Sequence, residues 1–302
     1  MANDYHLPVM LTETINGLNI RAKGTYVDTT FGGGGHSRAI IDALDDVGRL
    51  VAFDQDMDAV ANSIDDKRFT LINENFRYLK NFLRLHGIRN VDGVLADLGV
   101  SSHQFDEASR GFSTRHDGAL DLRMDQRQAL SARELVNDSD EETLTSIMRL
   151  YGELPNARQI AHAICDARRQ NAIETTLQLC KAVERHLPRG YENKYLAMIF
   201  QALRIEVNGE LDALKEMLMQ ATELLNKGGR LVVLSYHSLE DRLVKNFMRA
   251  GNFEGVVEKD FFGNPLTPLK MVSRKALVPT DDELQRNPRS RSAKLRIAEK
   301  IS

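Results

Sequence analysis

Four consecutive glycines, Gly32–Gly35, follow a short apolar strand and precede a helical pattern. Glycine loses more backbone entropy on ordering than any other residue, so such a run is expected where the backbone needs positive φ angles or must leave room for a ligand. The helix that follows, with Ser37 as its expected N-cap, turns its free N–H groups and positive dipole end to the same place. The sequence therefore predicts a ligand site at this turn.

The spacing of the glycines narrows the class of ligand. The dinucleotide fingerprint G-x-G-x-x-G is incomplete, because Ser37 stands where the third glycine should follow Gly32 and Gly34. An acid followed after three residues by G-x-G, as Asp28 is here, is the pattern of S-adenosylmethionine (SAM) sites. A glycine-rich surface loop is the structural alternative, and the adjoining strand and helix argue against it.

Further candidates stand where the next predicted strands end. Asp54 closes the second strand, about 20 residues beyond the glycines, where a carboxylate can accept hydrogen bonds from a ribose diol. Phe76, after the third strand, could cover an adenine ring or only close the core. Asp97 closes the fourth strand. Ligands bind at the carboxyl edge of open parallel sheets, so these residues are expected at one edge.

The pattern of elements predicts an α/β fold. Strands and helices alternate up to residue 97, which indicates a parallel, doubly wound half-sheet with right-handed crossovers. The next buried strand is 228–236, and the long interval shows helical spacing without strand alternation. We therefore expect an inserted all-helical domain at 108–200, with residues 1–107 and 201–302 forming the sheet domain. A closing strand at the C-terminus would complete seven strands.

Composition excludes several classes of protein. The 302 residues are 42% hydrophobic and 27% charged, without a run long enough to span a membrane, which predicts a soluble globular protein. The first residues lack a signal-peptide pattern, so we expect a cytoplasmic location and no membrane partner. Cys165 and Cys180 do not form a C-x-x-C pair, and neither a disulfide framework nor a metal site is indicated.

The C-terminal quarter of the chain is basic. Residues 227–302 hold 15 Lys and Arg against 9 Asp and Glu, within an overall net charge of −3. This surplus suits a phosphate-bearing partner, although it could serve solubility alone. The candidate phosphate contacts are Arg274, Lys275, Arg289, Arg291, Lys294 and Arg296.

Six motifs occur in order along the chain: Thr30–Ser37, Asp97–Ser102, Arg110–Ser113, Asp121–Asp125, Ser235–Arg242 and Asn287–Ser292. With them, nearly the whole sequence resembles the bacterial ribosomal RNA small subunit methyltransferase H family (RsmH, also called MraW). The resemblance implies a Rossmann-like SAM-dependent methyltransferase sheet with a helical insertion that recognises the substrate. It also implies methylation of the N4 amine of a cytidine in the decoding region of 16S ribosomal RNA. The small ribosomal subunit would be the partner, and a homodimer is left open.

The resemblance also implies which residues bind SAM. Carried over by position, the family's contacts fall on Gly34, Gly35, His36, Asp54, Phe76, Asp97 and Gln104. Gly33 and His103 depart mildly from the family's usual residues. Without the resemblance, His36 would more often be a hydrogen-bonding residue at the start of a helix than a ligand contact.

The implied reaction needs help from the protein, because the lone pair of cytosine N4 is delocalised into the ring. Acceptors for its two N–H groups would localise that pair while the amine is held in line with the methyl group. We expect Asp97, Ser101, Ser102 or the backbone carbonyls of their loop to act so, with SAM binding alone as the alternative for Asp97. His237 is a second catalytic candidate, as an orienting group or proton acceptor, or only a helix cap. Aromatic residues that could cover a flipped base are Phe105, Phe112 and Tyr236.

Three other functions stay open on sequence alone. A nicotinamide-dependent oxidoreductase is disfavoured by the missing third glycine and by the acid at Asp28. An RNA-binding or assembly protein with a vestigial pocket is disfavoured by the intact glycines and the strand-end acids. A methyltransferase with a small-molecule or protein substrate is the strongest of the three, because SAM binding is better encoded than substrate choice.

Overall fold

The strands that the sequence predicts assemble into one seven-stranded sheet of order β3-β2-β1-β4-β5-β7-β6. The strands are β1 (Thr25–Asp28), β2 (Arg49–Phe53), β3 (Phe69–Ile72), β4 (Val91–Asp97), β5 (Leu225–Ser235), β6 (Leu269–Met271) and β7 (Lys294–Lys300). Strands β1 to β5 run parallel, whereas β7 is antiparallel to β5 and to β6. The strand order reverses between β1 and β4, which opens a crevice at their carboxyl ends. The predicted α/β class with a doubly wound, seven-stranded sheet is confirmed.

The computed structural model describes residues 8–302. Its α-helices are α1 (Leu11–Leu18), α2 (Gly35–Asp42), α3 (Leu79–Leu85), α4 (Ser102–Asp106), α5 (Ala132–Asp138), α6 (Glu141–Leu150), α7 (Ala157–Gln170), α8 (Thr176–Val183), α9 (Glu192–Asn208), α10 (Glu210–Leu224), α11 (Ser238–Ala250) and α12 (Asp281–Arg286). Within these residues, no helix combines the length and the apolarity needed to cross a membrane.

The chain divides into two compact units. Unit 1 contains the sheet and comprises the described residues up to 99 and residues 211–302, and unit 2 comprises residues 100–210. Unit 2 starts before and ends after the predicted insertion at 108–200. The difference arises because Val100 and Val207, near its two ends, pack in the same apolar core as its helices.

The sheet of unit 1 is covered on both faces. Alternate strand residues enter two separate cores, as Val27 and Tyr26 of β1 illustrate. Helices α3, α10 and α11 supply apolar side chains to the core of Val27, and helices α1 and α2 supply them to the core of Tyr26. This arrangement is the doubly wound packing that near-continuous apolar strands require.

Two elements end or begin at identifiable residues. The segment after β2 is a 3-10 helix, Met57–Asn62, whose first turn is fixed by the Asp56 carboxylate accepting the N–H of Asp58 at 3.1 Å. Gly209 separates α9 from α10, and its left-handed backbone (φ 57°) ends α9 in the way glycine commonly ends helices.

Two of the six motifs hold unit 2 together. Arg110 is buried and donates to the backbone carbonyls of Arg123 and Met124 at 3.0 and 3.1 Å. The amide of Asn208 donates to the carbonyl of Leu122 at 2.8 Å and accepts the N–H of Met124 at 2.7 Å. Leu122 has a positive φ of 61°, a strained conformation that these bonds support. The motifs Arg110–Ser113 and Asp121–Asp125 therefore stabilise the irregular segment around Leu122.

Candidate active site

The loop between β1 and α2 lies against the carboxyl ends of its neighbouring strands. The backbone N–H and the hydroxyl of Thr29 donate to the carbonyl of Leu95 in β4, at 2.8 and 3.0 Å. The N–H of Phe31 donates to the carbonyl of Phe53, the last residue of β2, at 2.9 Å. These bonds hold the glycine run at the crevice of the sheet.

Asp28 is a structural acid of this loop. Its side chain is buried and accepts the Ser37 hydroxyl at 2.7 Å and the N–H of Thr30 at 3.1 Å. Burial raises the pKa of Asp28 above its usual range. Ser37 therefore binds Asp28 instead of capping α2, which begins after Gly34, so the predicted N-cap is wrong.

The glycines of the run meet different needs. Gly32 has a φ of 51°, and a Cβ there would meet no atom of residues 8–302 within 4 Å. A Cβ on Gly34 would lie 2.9 Å from the Phe31 ring, and one on Gly35 would lie 2.8 Å from Cγ of Pro8. Packing thus requires Gly34 and Gly35, whereas Gly32 leaves open space where a ligand can approach the backbone.

Asp54 lies at the carboxyl end of β2, next to the glycine run. One carboxylate oxygen accepts the N–H of Gly32 at 2.7 Å, and the other accepts the N–H of Asp56 at 2.9 Å. The amide of Asn73 fixes this turn by donating to the carbonyl of Asp54 at 2.9 Å. Burial raises the pKa of Asp54 from 3.8 to about 6. Each oxygen of the ionised group keeps a lone pair with which it can accept a ribose hydroxyl.

Phe76 follows β3 at the start of a single 3-10 turn. Asn75 caps this turn by accepting the N–H of Arg77 at 2.9 Å, and its amide donates to Gln55 at 2.6 Å. The Phe76 ring is half-buried and packs against the core of unit 1. A ring that is supported on one side and accessible on another is suited to covering a flat ligand.

Asp97 ends β4 and is held by residues from three other segments. One carboxylate oxygen accepts the Tyr236 hydroxyl at 2.6 Å, and the other lies 3.6 Å from Nδ1 of His36. The backbone N–H of Asp97 donates to the Thr30 hydroxyl at 2.7 Å. The side chain keeps 21% exposure, so it is both oriented and accessible.

His36 is held between Val9 and Asp97. The buried ring has Nε2 3.1 Å from the carbonyl of Val9, and because a carbonyl only accepts, Nε2 donates this hydrogen bond. The other ring nitrogen, Nδ1, faces the Asp97 carboxylate at 3.6 Å. The bond to Val9 therefore fixes the ring beside Asp97.

Burial raises the pKa values of both Asp97 and Tyr236. Burial raises the pKa of Asp97, while His36 and the bond from Tyr236 partly offset the effect. Burial and the negative charge of Asp97 raise the pKa of Tyr236 well above its usual value. The Tyr236 hydroxyl therefore stays protonated and remains a hydrogen-bond donor.

His237 caps α11. Its Nδ1 accepts the N–H of Glu240 at 3.4 Å, and the Glu240 carboxylate accepts the backbone N–H groups of Tyr236 and His237 at 2.8 and 3.3 Å. Its Nε2 lies 3.1 Å from the same carboxylate. The structure thus gives His237 the capping role that was the alternative, and its catalytic role stays a prediction.

Three of the predicted site residues belong to unit 2, at the start of α4. Ser101 caps this helix by accepting the N–H of Gln104 at 3.2 Å, and the Gln104 amide oxygen accepts the N–H of Ser101 at 3.0 Å. The Ser102 hydroxyl is buried and has no hydrogen-bond partner among residues 8–302. Of the two serines, Ser102 has the hydroxyl that is not already engaged.

The three aromatic residues that were predicted to cover a flipped base differ in their burial. Phe112 lies in the core of unit 2 with 5% exposure, so its prediction as a base contact is wrong. Tyr236 is engaged with Asp97. Phe105, on α4, is 42% exposed and stays a prediction.

The predicted phosphate contacts also divide. Arg296 is buried and donates to Asp241 at 2.6 Å, so it is not available to RNA, and Lys294 donates to the same carboxylate at 3.0 Å. The prediction for Arg296 is wrong because an acid of α11 neutralises the buried cation, whereas Lys294 is 45% exposed and stays a prediction. The remaining four are exposed: Arg274, Lys275, Arg289 and Arg291.

The bond between Tyr236 and Asp97 was missed from sequence. The signal was present, since Asp97 and Tyr236 each stand at the carboxyl end of a predicted strand. What was needed is the adjacency of β4 and β5, in which Asp97 pairs with Leu234.

Comparison with known proteins identifies the family of this chain. A model of the MraW methylase family matches residues 3–301. A protein from Bacteroides thetaiotaomicron named ribosomal RNA small subunit methyltransferase H is 57% identical over 98% of this chain and 97% of its own length. One of the same name from Flavobacterium johnsoniae is 56% identical, over 99% and 98%. A solved rRNA methylase from Streptococcus thermophilus has a TM-score of 0.42 at 11% identity, covering 97% of this chain and 92% of its own, a likeness too distant to carry an argument.

Proposed function

The chain belongs to the MraW methylase family and is accordingly a SAM-dependent methyltransferase, and we propose that its substrate is the small-subunit ribosomal RNA. The reaction is methylation of the N4 amine of a cytidine in the decoding region of 16S rRNA. The full-length relatives named as small-subunit rRNA methyltransferases support the substrate class. The Asp97 carboxylate, fixed by Tyr236 next to the glycine run, is the observation that supports the amine as acceptor.

The residues of unit 1 fit SAM as cofactor. Gly32 leaves open space over the backbone, and the acid at Asp54 stands where it can accept two ribose hydroxyls. Phe76 is the proposed cover of the adenine ring. The other proposed contacts are Gly34, Gly35, His36 and Asp97, and Gln104 of unit 2 rests on the family's motif alone.

In the proposed reaction, SAM supplies an activated methyl group on a sulfonium. The ionised Asp97 accepts a hydrogen bond from one N–H of the amine and so turns the nitrogen lone pair toward that methyl. The N–C bond forms as the C–S bond breaks, and the nitrogen then loses a proton. The Asp97 carboxylate takes this proton.

Two further assignments depend on the proposed substrate. Unit 2 is proposed to recognise the RNA, with the exposed Phe105 as a contact. The proposed location is the cytoplasm, where the small subunit is assembled. The homodimer stays open.

The test is methyl transfer from radiolabelled SAM to small ribosomal subunits from a strain that lacks this protein. Mass spectrometry of the nucleosides should find label as N4-methylcytidine at one site. Label on another nucleoside, or no transfer by a preparation that binds SAM, would refute the proposed substrate and favour a protein or small-molecule acceptor.

A further inference from the structure

A preformed hairpin follows α11. In residues 252–268, called here the 252–268 hairpin, the N–H of Asp260 donates to the carbonyl of Asn264 at 2.9 Å and that of Leu266 donates to Glu258 at 2.8 Å. These pairings close a short two-stranded loop. The segment is thus an ordered projection of unit 1.

The tip of the hairpin is tied by one carboxylate. Asp260 accepts the backbone N–H groups of Phe262 and Asn264 at 2.9 and 2.8 Å and the Asn264 amide at 2.9 Å. The Asn264 bonds hold the pKa of Asp260 below its usual range, so the carboxylate stays ionised and the tip stays closed at neutral pH.

The base of the hairpin is anchored on α11. The ring of Phe253 stacks on that of Phe247 with centroids 5.0 Å apart. The Asn246 amide donates to the carbonyl of Phe253 at 2.9 Å, and the Arg249 guanidinium donates to that of Gly255 at 2.7 Å. The orientation of the tip is therefore coupled to the helix that begins beside Tyr236.

The tip presents two aromatic rings to solvent. Phe261 is 98% exposed and Phe262 is 86% exposed, and their rings meet edge to face with centroids 5.7 Å apart. Water-exposed aromatic pairs on an ordered loop are unfavourable in isolation and mark interaction sites. The edge-to-face arrangement leaves flat ring faces free for stacking.

The charges around the hairpin favour an anionic partner. Residues 252–275 hold four exposed cations, none with an ion pair within residues 8–302, against three acids, Glu254, Glu258 and Asp260. An apolar protein pocket could hold the rings, but it would not need these cations. The cations are Lys259, Lys270, Arg274 and Lys275.

We propose that the tip of the 252–268 hairpin stacks on unpaired bases of the RNA substrate while the four cations contact the adjoining phosphates. Aromatic faces bind bases with little sequence preference, which suits an auxiliary contact. Helix α11 has 13 residues and separates Tyr236 from the hairpin base by about 20 Å, so this contact is remote from Asp97. The inference rests on the proposed rRNA substrate and adds a second point of attachment to it.

The test compares two double variants in filter binding to protein-free 16S rRNA. Phe261→Leu/Phe262→Leu keeps apolar side chains but removes the flat rings, and should raise Kd by about 10- to 100-fold. Phe261→Tyr/Phe262→Tyr keeps the rings and should bind as the wild type does. Leu85→Ser, at an exposed leucine of α3 (78%), is the matched control and should have no effect.

Two further measurements distinguish stacking of the rings on bases from contacts of the cations with phosphates. Lys259→Gln/Lys275→Gln should reduce the slope of log Kd against log salt by about one per lysine, whereas the leucine variant should leave the slope unchanged. The chain contains no tryptophan, so Phe262→Trp introduces a single tryptophan, whose emission should be quenched by rRNA.

Unchanged affinity of the leucine variant for rRNA would overturn the inference. Loss of binding by Phe261→Ser/Phe262→Ser to whole subunits but not to rRNA would assign the tip to a ribosomal protein. If the wild type is a dimer and the serine variant is a monomer, the tip binds a second copy of the chain instead of RNA. Failure of the proposed function would appear separately, because the wild type would then not transfer labelled methyl groups to rRNA. That assay does not depend on the hairpin variants.

Discussion

The hydroxyl of Tyr236 is the group that fixes the Asp97 carboxylate in one orientation. Burial raises the pKa of Asp97, and the hydrogen bond from Tyr236 lowers it by favouring the ionised form. His36, Asp28 and Glu240 are the other titratable groups nearby. Tyr236 is thus a positioning residue for the proposed acceptor of the amine proton.

Replacing Tyr236 by Phe should remove this bond and keep the ring. The pKa of Asp97 then rises, fewer molecules hold the ionised form at a given pH, and the acid limb of kcat/KM against pH should move up by about one unit. Tyr26→Phe is the control, because it deletes another tyrosine hydroxyl bond, from the N–H of Arg21 at 2.6 Å, away from the carboxyl edge of the sheet. An unshifted profile in Tyr236→Phe would contradict the positioning role.

Asp54 should make cofactor binding pH-dependent. Its pKa near 6 means that it is ionised at neutral pH and protonated below pH 6, where it loses acceptor capacity for the ribose hydroxyls. Calorimetry should find Kd for SAM rising by up to about tenfold per pH unit below 6. Asp54→Asn should bind weakly at every pH. A flat pH profile in the wild type would argue against the ribose contact.

At the scale of the loop, Gly32 and Gly87 form a matched pair. Both have positive φ, 51° and 72°, and a Cβ on either meets no atom within 4 Å in the described part of the chain. Alanine at either position should cost about 1 kcal/mol of stability from backbone strain. Only Gly32→Ala should also raise Kd for SAM, by about tenfold or more, because its Cβ enters the space left for the ligand. Equal SAM affinity of the two variants would show that the ligand lies elsewhere.

At the scale of strand and helix, Asp241 joins α11 to β7. Burial would raise its pKa, but the bonds from Arg296 and Lys294 hold it below the usual range. Asp241→Asn leaves Arg296 buried without its counter-charge and should lower the free energy of unfolding by about 3–5 kcal/mol. Asp212→Asn, at an exposed pair with Lys215, should change it little.

The pH dependence of that effect has a definite sign. A depressed folded-state pKa stabilises above the unfolded value and loses this contribution as pH falls through the folded value. The difference in thermal unfolding between wild type and Asp241→Asn should therefore narrow in acid. A constant difference would show that the carboxylate charge is not the cause.

At the scale of the whole molecule, the sequence predicts the strands whose apolar residues form a clear pattern and the residues that end those strands. Asp54 and Asp97 were found because each ends an apolar strand, and all strands up to β5 were located in this way. Phe112 and Arg296 were misassigned because their burial depends on contacts with residues distant in sequence. The role of Tyr236 depends on which strands are neighbours, and periodicity does not encode that order.

The central claim is that Asp97 acts on the amine as well as lying next to the cofactor. The most direct measurement is single-turnover methyl transfer to small ribosomal subunits by Asp97→Asn at saturating SAM, with SAM affinity measured in parallel. We expect the rate to fall by about 10²- to 10³-fold even when the cofactor is fully bound, since the amide is a poor proton acceptor. A wild-type rate at saturation would restrict Asp97 to cofactor binding and contradict the account.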